Sequence, residues 1–191
     1  MEKPQSLKGA NHLVSVIIPC HSSARNSAAV GEEVWYTVSS TISALEETQL
    51  EYEVIIILNG EYPITASLMH DARGVKTVFA GPQYNSPQAA RHLGVQQSSG
   101  DPIFFLDAHV VVPPNFFRQI VADMEEVGAD FMGTPHRFLG ETWYGCHVAW
   151  DEYLWGNRTL QVPPLGPGKL FQAAIHPHGA FAMRRASYEK A

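Results

Sequence analysis

The stretch DPIFFLDAHVVVPPNFF, which runs from Asp101 to Phe117, places a carboxylate and an imidazole directly after a short apolar run. Residues 103–106 are all apolar, and a run of this length beside turn-forming residues predicts a buried β-strand. Asp107 and His109 follow the run, and either side chain is costly to bury without a partner. The stretch therefore predicts a buried strand whose carboxyl end carries two polar side chains.

Strand and helix patterns alternate on both sides of this stretch. Further buried strands are predicted at residues 12–19, 52–60 and 75–80, with a possible fifth strand at 130–136. Helical patterns lie between and after them, at residues 31–49, 64–74, 86–100 and 113–128. Because each strand is followed by a helix, the sequence predicts an α/β fold in which helices cover both faces of a mostly parallel sheet.

Several ends and faces of these helices can be predicted. Ser86 precedes Pro87, which is the pattern of an N-cap followed by proline at the first helical position, and Gly74 and Gly100 are expected to end helices. One buried face of the last helix is expected to hold five apolar side chains, namely Phe117, Ile120, Val121, Met124 and Val127. From about Gly140 the regular pattern stops, and residues 179–185 predict a further strand that leads into a helix at 186–191.

The composition narrows the classes of function. A length of 191 residues with 45% hydrophobic residues suits one globular domain. The formal net charge of -6 disfavours nucleic acid as the main partner, because such proteins usually carry a basic face. Two cysteines imply no disulfide framework, and no apolar run reaches the length of a membrane span. The polar residues 1–12 do not resemble a signal peptide, so we expect a cytoplasmic protein, with peripheral membrane contact left open.

Polar residues gather where the predicted parallel strands end. In open parallel sheets, ligands bind beyond the carboxyl ends of the strands. Here those ends carry Pro19, Cys20 and His21, then Asn59 and Gly60, then Asp107 and His109. Residues two apart in a strand point to the same side, so Asp107 and His109 are candidate ligands of a manganese or zinc ion completed by water and phosphate oxygens. The alternative is that Asp107 caps a turn and His109 lies on the surface, which is common for this pattern.

Other candidate groups are weaker on the residues alone. Cys20 and His21 are neighbours in a strand and face opposite ways, which disfavours a nucleophile and base pair. His176 and His178 are candidate metal ligands, and Arg184 with Arg185 is either a phosphate-neutralising pair or a solvated surface pair. An aromatic group suggests either sugar stacking or ordinary packing, and it consists of Trp143, Tyr144, Trp150, Tyr153 and Trp155.

Four stretches carry a family resemblance through their order, namely VSVIIPCHS, EVIIILNG, NSPQAARHLGVQQSSGDPIFFLDAH and GAFAMRRASYEK. Together they resemble a family 2 glycosyltransferase of the GT-A fold, from about Leu13 to Tyr188. The resemblance implies a nucleoside-diphosphate sugar donor of the UDP or GDP type. Pro19 and His21 would flank the nucleoside, and Asn59 would contact the base, although Leu58 stands where the family usually has an acidic residue. Arg91 would approach the donor diphosphate or ribose, and His92 replaces the family's usual asparagine.

The same resemblance bears on the metal. The family's D-x-D motif corresponds to Asp107-Ala108-His109, so Asp107 would contact the donor through a divalent ion, Mn²⁺ or Mg²⁺. A D-x-H motif also resembles the polypeptide GalNAc-transferases, in which a later histidine completes the metal site. That analogy makes His178 the expected third ligand and His176 the second choice. Family 2 enzymes invert and the D-x-H enzymes retain, so the stereochemistry stays open.

The resemblance also implies a carboxylate base soon after the RRASY segment, and this sequence ends at Ala191. No catalytic residue is assigned, and Asp151 with Glu152 is a weak substitute. We expect a single GT-A-like domain over residues 1–191, with a nucleotide-binding half at about 12–135. Residues 136–191 would form an acceptor-side segment that is incomplete relative to the family.

Two functions follow from these expectations. The first is a metal-dependent glycosyltransferase with an unknown acceptor. The second is a catalytically incomplete GT-A-like binding or interaction module. A nucleotidyltransferase is disfavoured, because CHSSARNS after the first strand has no glycine to form a phosphate loop.

Overall fold

The computed structural model describes residues 13–22, 27–60, 74–133, 147–149, 160–162 and 179–190. The strands in these ranges are β1 Leu13–Ser22, β2 Glu51–Gly60, β3 Val75–Ala80, β4 Ile103–Leu106, β5 Phe131–Gly133, β6 His147–Ala149, β7 Leu160–Val162 and β8 Ala180–Met183. The helices are α1 Ser27–Glu46, α2 Pro87–Gln96, α3 Phe116–Val127 and α4 Arg185–Tyr188, and a short 3-10 helix spans Pro82–Tyr84. The predicted helix at residues 64–74 lies outside the described residues except for Gly74, whose φ of 77° is in the left-handed region.

Six strands form one sheet in the order β3-β2-β1-β4-β8-β5. Strands β1 to β4 pair in parallel, with Ile17 opposite both Ile55 and Phe105. Strand β8 runs antiparallel to β4 and to β5, so it enters the sheet from the opposite direction. The predicted α/β class with a mostly parallel sheet is confirmed. Strands β6 and β7 form a separate antiparallel pair.

Helices cover both faces of this sheet. On one face, alternate side chains such as Val16, Ile56 and Phe104 are buried against helices α1 and α3. On the other face, Ile17 and Phe105 belong to a second cluster that packs on α2. Side chains of successive strand residues point to opposite faces, so a strand must be apolar along its whole length to be buried on both. This accounts for the continuous apolar runs in the sequence.

Helix α2 begins as predicted but ends earlier. The Ser86 Oγ accepts a hydrogen bond from the Ala89 N–H at 3.1 Å, and Pro87 occupies the first turn. The helix ends at Gln96, so the prediction that Gly100 stops it is wrong. Gly100 instead lies against β1, where an added Cβ would meet the Leu13 carbonyl oxygen at 2.6 Å. This glycine permits close backbone packing rather than ending a helix.

Helix α3 differs from the prediction at its final turn. It ends where Gly128 adopts a φ of 64°, the left-handed conformation that glycine accepts without a Cβ clash. Val127 was predicted on the buried face, yet it is 53% exposed. At 100° per residue, Val127 lies about 70° from the centre of the buried stripe, which places it at the edge of that stripe.

The shorter elements near the carboxyl end also fit the sequence with small shifts. The predicted strand over residues 179–185 is the four-residue β8. The predicted helix at 186–191 begins at Arg185 and forms one turn. Within the described part of the chain, no helix combines the length and apolar character needed to cross a membrane.

Candidate functional site

The carboxyl ends of β1, β2 and β4 meet at one edge of the sheet, which we call the carboxyl edge and which comprises residues 19–22, 58–60 and 107–110. His21 pairs in register with Asn59, and Pro19 pairs with Ile57. By strand alternation, Pro19 and His21 share the sheet face of Ile17, and Asn59 shares that of Ile57. Ile17 and Ile57 lie on the same sheet face, which is the face that α2 covers. The structure therefore brings Pro19, His21 and Asn59 together on one face.

Asn59 is 2% exposed and has a fixed orientation. Its Nδ2 donates to the Tyr84 carbonyl at 2.9 Å, which ties the end of β2 to the 3-10 helix after β3. Its Oδ1 is buried and finds no hydrogen-bond partner among the described residues. An unsatisfied buried acceptor costs roughly 1–3 kcal/mol. No sequence pattern could predict the Tyr84 contact, because every residue has a backbone carbonyl.

The neighbouring residues Cys20 and Leu58 face the other way. Both are buried in the core that packs on α1 and α3. Burial, with a smaller effect of the Glu33 carboxylate, raises the pKa of the Cys20 thiol to about 12. His21 is exposed, so the expectation that Cys20 and His21 do not act together agrees with their opposite orientations. Leu58 presents no group to the carboxyl edge.

Asp107 forms an ion pair with Arg91 of helix α2. The Arg91 Nη2 lies 2.6 Å from the Asp107 Oδ1, and the two side chains are 12% and 22% exposed, respectively. The Asp107 backbone N–H donates to the Gly179 carbonyl at 2.8 Å, which continues the β4–β8 pairing by one residue. The guanidinium carbon of Arg91 also lies 5.5 Å from the centre of the Phe181 ring. Three elements, α2, β4 and β8, thus meet at this ion pair.

Asp107 and His109 lie on a turn rather than in a strand. Strand β4 ends at Leu106, and the Val110 N–H donates to the Asp107 carbonyl at 3.1 Å, as in a β-turn. The argument from strand alternation therefore does not apply to these two residues. His109 is exposed. That the two residues bind one ion stays a prediction.

The donor set still suits a divalent ion. A carboxylate and an imidazole are ordinary ligands of such ions, and the Arg91 contact uses only one of the two Asp107 oxygens. Among the described residues, no group of three or more histidine, cysteine or acidic side chains is placed to hold a metal. His176 and His178 lie outside the described residues, as do Asp151, Glu152 and the aromatic group from Trp143 to Trp155.

Helix α4 packs on α2 beside this ion pair. The Tyr188 hydroxyl lies 3.0 Å from His92 Nδ1, and Gln96 Nε2 lies 3.1 Å from His92 Nε2. Burial raises the pKa of Tyr188 above its ordinary value of 10. A cavity of about 200 Å³ lies between these elements, and its lining residues are Gln88, Arg91, Phe105, Phe181, Met183 and Tyr188.

Arg184 and Arg185 lie at the opposite edge of the sheet, because β8 runs antiparallel to β4 and ends beside Ile103. The Arg185 Nε donates to the Gly100 carbonyl at 3.0 Å, and its Nη2 donates to the Ser98 hydroxyl at 2.8 Å. Its backbone N–H donates to Asp101. The prediction that this pair neutralises phosphate is therefore wrong for a ligand that binds at the carboxyl edge.

Curated relatives of this chain are glycosyltransferases. The undecaprenyl-phosphate 4-deoxy-4-formamido-L-arabinose transferase of Proteus mirabilis is 26% identical over 136 residues, which make up 69% of this chain and 39% of that protein. An uncharacterized glycosyltransferase of Rickettsia bellii is 29% identical over 129 residues, covering 67% of this chain and 17% of that protein. The chain thus spans less than half the length of these relatives.

Solved structures share the fold. The crystal structure of S. aureus TarS 1-349 in complex with UDP matches with a TM-score of 0.56 at 16% identity, over 71% of this chain and 39% of TarS 1-349. The complex of the same protein with UDP-GlcNAc matches with a TM-score of 0.55 at 17% identity, over 71% and 38%. At this identity the likeness shows that the sheet and its helices form a GT-A-like α/β fold.

The family model for glycosyl transferase family 2 matches residues 15–191, nearly the whole sequence. This match agrees with the order of strand-end motifs from β1 to β8. The chain belongs to glycosyl transferase family 2.

Proposed function

We propose that this chain binds a nucleoside-diphosphate sugar, of the UDP or GDP type, as the donor-binding region of a glycosyltransferase. The observation that carries the proposal is the convergence of polar side chains at the carboxyl edge. His21 and Asn59 are paired in register, and Asp107 follows the adjacent strand β4. This edge is where open parallel sheets bind ligands.

The relatives suggest which ligands to test first. TarS has been crystallised with UDP and with UDP-GlcNAc, so a uridine nucleotide is the first donor to test. The name of the Proteus mirabilis relative includes undecaprenyl phosphate. A polyprenyl phosphate is therefore the first acceptor to test, although the acceptor itself is not assigned.

The proposal includes a divalent ion, Mn²⁺ or Mg²⁺, held by Asp107 and His109 with His178 as the third ligand. Such an ion would offset the negative charge that develops on the departing nucleoside diphosphate. The protein's own contribution is to hold the Asp107 carboxylate at the end of β4, where its backbone N–H is fixed by Gly179.

Titration calorimetry of UDP and GDP against the folded protein, with Mn²⁺ and then with EDTA, tests this proposal. We expect UDP or GDP to bind, and EDTA or Asp107→Ala to weaken the binding at least tenfold. Asp123→Asn is the matched control, because Asp123 lies on α3, where its Oδ1 accepts a hydrogen bond from Gln119 Nε2 of the same helix at 2.7 Å. Absence of binding by either nucleotide would refute the donor site. Binding that is unchanged by EDTA and by Asp107→Ala would refute the metal.

A binding module without turnover is the second candidate, and one observation favours it. Leu58, at the position where the family usually has an acidic residue, is 5% exposed and packs in the core. Nucleotide binding without transfer or hydrolysis of any UDP-sugar or GDP-sugar would support this candidate over the enzyme.

A further inference from the structure

Arg91 has little surface left for a direct contact with a donor. Its Nη2 is used by Asp107 at 2.6 Å, and its side chain is only 12% exposed. Its Nε is buried and has no hydrogen-bond partner among the described residues. An arginine that binds a diphosphate must turn its N–H groups towards the phosphate oxygens. The family resemblance implies such a contact for Arg91, but these contacts point to a different role.

Asp107 needs a partner that fixes its side chain. It lies one residue beyond β4, at the first position of a turn, and its side chain is 22% exposed. The Arg91 contact holds the carboxylate from helix α2, which packs across the sheet face.

Phe181 in turn limits where the Arg91 guanidinium can lie. The ring of Phe181 stacks on Phe105 at 4.7 Å and lies 5.4 Å from the ring of Phe131. The guanidinium carbon of Arg91 lies 5.5 Å from the Phe181 ring centre, within the range of a cation–π contact. Packing therefore holds the Phe181 ring in place, and the flexible Arg91 side chain lies against it.

We infer that Arg91 is a positioning residue that acts on the donor through Asp107, and that Phe181 positions Arg91. This inference rests on the proposed donor site. It assigns a role in donor binding to an aromatic residue of β8, which no sequence pattern suggested. It also predicts that a planar guanidinium is required at position 91, because an ammonium group lacks the flat surface that stacks on a ring and the fixed fork that holds a carboxylate.

The test is a set of double-mutant cycles read as the UDP dissociation constant from calorimetry. Arg91→Met should weaken UDP binding about tenfold in the wild-type background but less than about twofold in the Asp107→Ala background. Arg91→Lys should behave as Arg91→Met does. Phe181→Leu should weaken binding about threefold, which is towards the lower end of the range for a cation–π contact, and should add nothing in the Arg91→Met background.

Phe116→Leu is the matched control, because Phe116 lies on helix α3, on the sheet face opposite α2, where its ring contacts Phe104 and Phe117. It should leave UDP affinity unchanged. Circular dichroism and thermal midpoints identify variants that fail to fold. If Arg91→Met is one of these, Arg91→Lys and Phe181→Leu carry the test.

Two results would overturn the positioning role alone. One is wild-type affinity in Arg91→Lys, since lysine suffices for a direct phosphate contact. The other is an equal loss from Arg91→Met in both backgrounds, since a direct contact does not depend on Asp107. No UDP or GDP binding by the folded wild type would instead overturn the proposed donor site, and the positioning role with it.

Discussion

Cys20 and His21 are neighbours at the end of β1, and their environments are opposite. Cys20 is buried against the core on the α1 and α3 side, whereas His21 is exposed on the α2 side. A thiol reacts with alkylating reagents as its thiolate, so burial affects both its access and its ionisation. The pKa of Cys20 is raised to about 12, mainly by burial, so very little thiolate exists at neutral pH.

We therefore predict that Cys20 resists iodoacetamide at pH 8 in the native protein and reacts fully in 8 M urea. Mass spectrometry of the peptide that contains Cys20 measures the modified fraction separately from Cys146. Native-state labelling should be at least about tenfold slower than labelling of the unfolded chain, because the pKa shift alone suppresses the thiolate by more than that factor. Equal rates in the two states would contradict the burial of Cys20.

Helix α2 carries Arg91 to the carboxyl edge, and its closeness to β1 depends on Gly94. An added Cβ at Gly94 would lie 2.4 Å from the Cγ2 of Ile17, a fully buried side chain. Glycine inside a helix normally costs stability relative to alanine. Here the close approach of helix and strand outweighs that preference, so the glycine is a packing requirement.

Gly94→Ala should lower the free energy of unfolding by about 1–3 kcal/mol, the usual cost of overpacking a core. Urea unfolding followed by circular dichroism measures the change. Ile17→Leu removes the branch at Cβ that the new methyl group would meet, so the double variant should recover part of the loss relative to the two single variants. A Gly94→Ala protein that is as stable as the wild type would show that α2 shifts without cost.

At the scale of the whole molecule, local patterns predicted the elements better than their arrangement. The apolar runs of β1, β2 and β4 and the Ser86 cap of α2 depend on near neighbours in sequence, and the structure has each of them. The insertion of β8 between β4 and β5 pairs Leu106 with Ala180, and no local pattern encodes a partner that distant. The Arg91 contacts with Asp107 and Phe181 depend on that arrangement. For the same reason, the position of Asp107 directly after β4 was predictable, whereas its contact with Arg91 was not.

Glu53 gives a second example of an arrangement that the sequence did not reveal. It lies at the edge opposite the proposed donor site, where its Oε1 accepts from the Ser15 hydroxyl at 2.7 Å and the Ser99 N–H at 2.6 Å. The Gly100 N–H adds a contact at 3.1 Å. One carboxylate thereby connects β1, β2 and the loop that leads from α2 into β4. In sequence it resembled any solvated glutamate of a strand.

These contacts make the stability of the molecule depend on pH. Burial by itself raises the pKa of Glu53. The hydrogen bonds from Ser99, Ser15 and Gly100 together lower this pKa by more than burial raises it, so the net pKa lies below the ordinary value of 4.5. A carboxyl group with a lower pKa in the folded state stabilises that state above its unfolded pKa. The contribution is therefore present at neutral pH and is lost as the pH falls below about 4.5 and through the folded pKa.

Glu53→Gln should reduce the free energy of unfolding by about 1–2 kcal/mol at pH 7. We expect the lower part of the range for hydrogen bonds to a charged group, because Glu53 is partly exposed. The difference between the wild type and Glu53→Gln should then shrink as the pH falls from 5 to 3, since the wild type loses its contribution and the variant has none to lose. Urea unfolding at a series of pH values measures both quantities. Glu47→Gln, at an exposed position just after α1, is the control and should follow the wild type throughout. A constant difference between the wild type and Glu53→Gln across this pH range would show that the charge of Glu53 does not hold the three segments together.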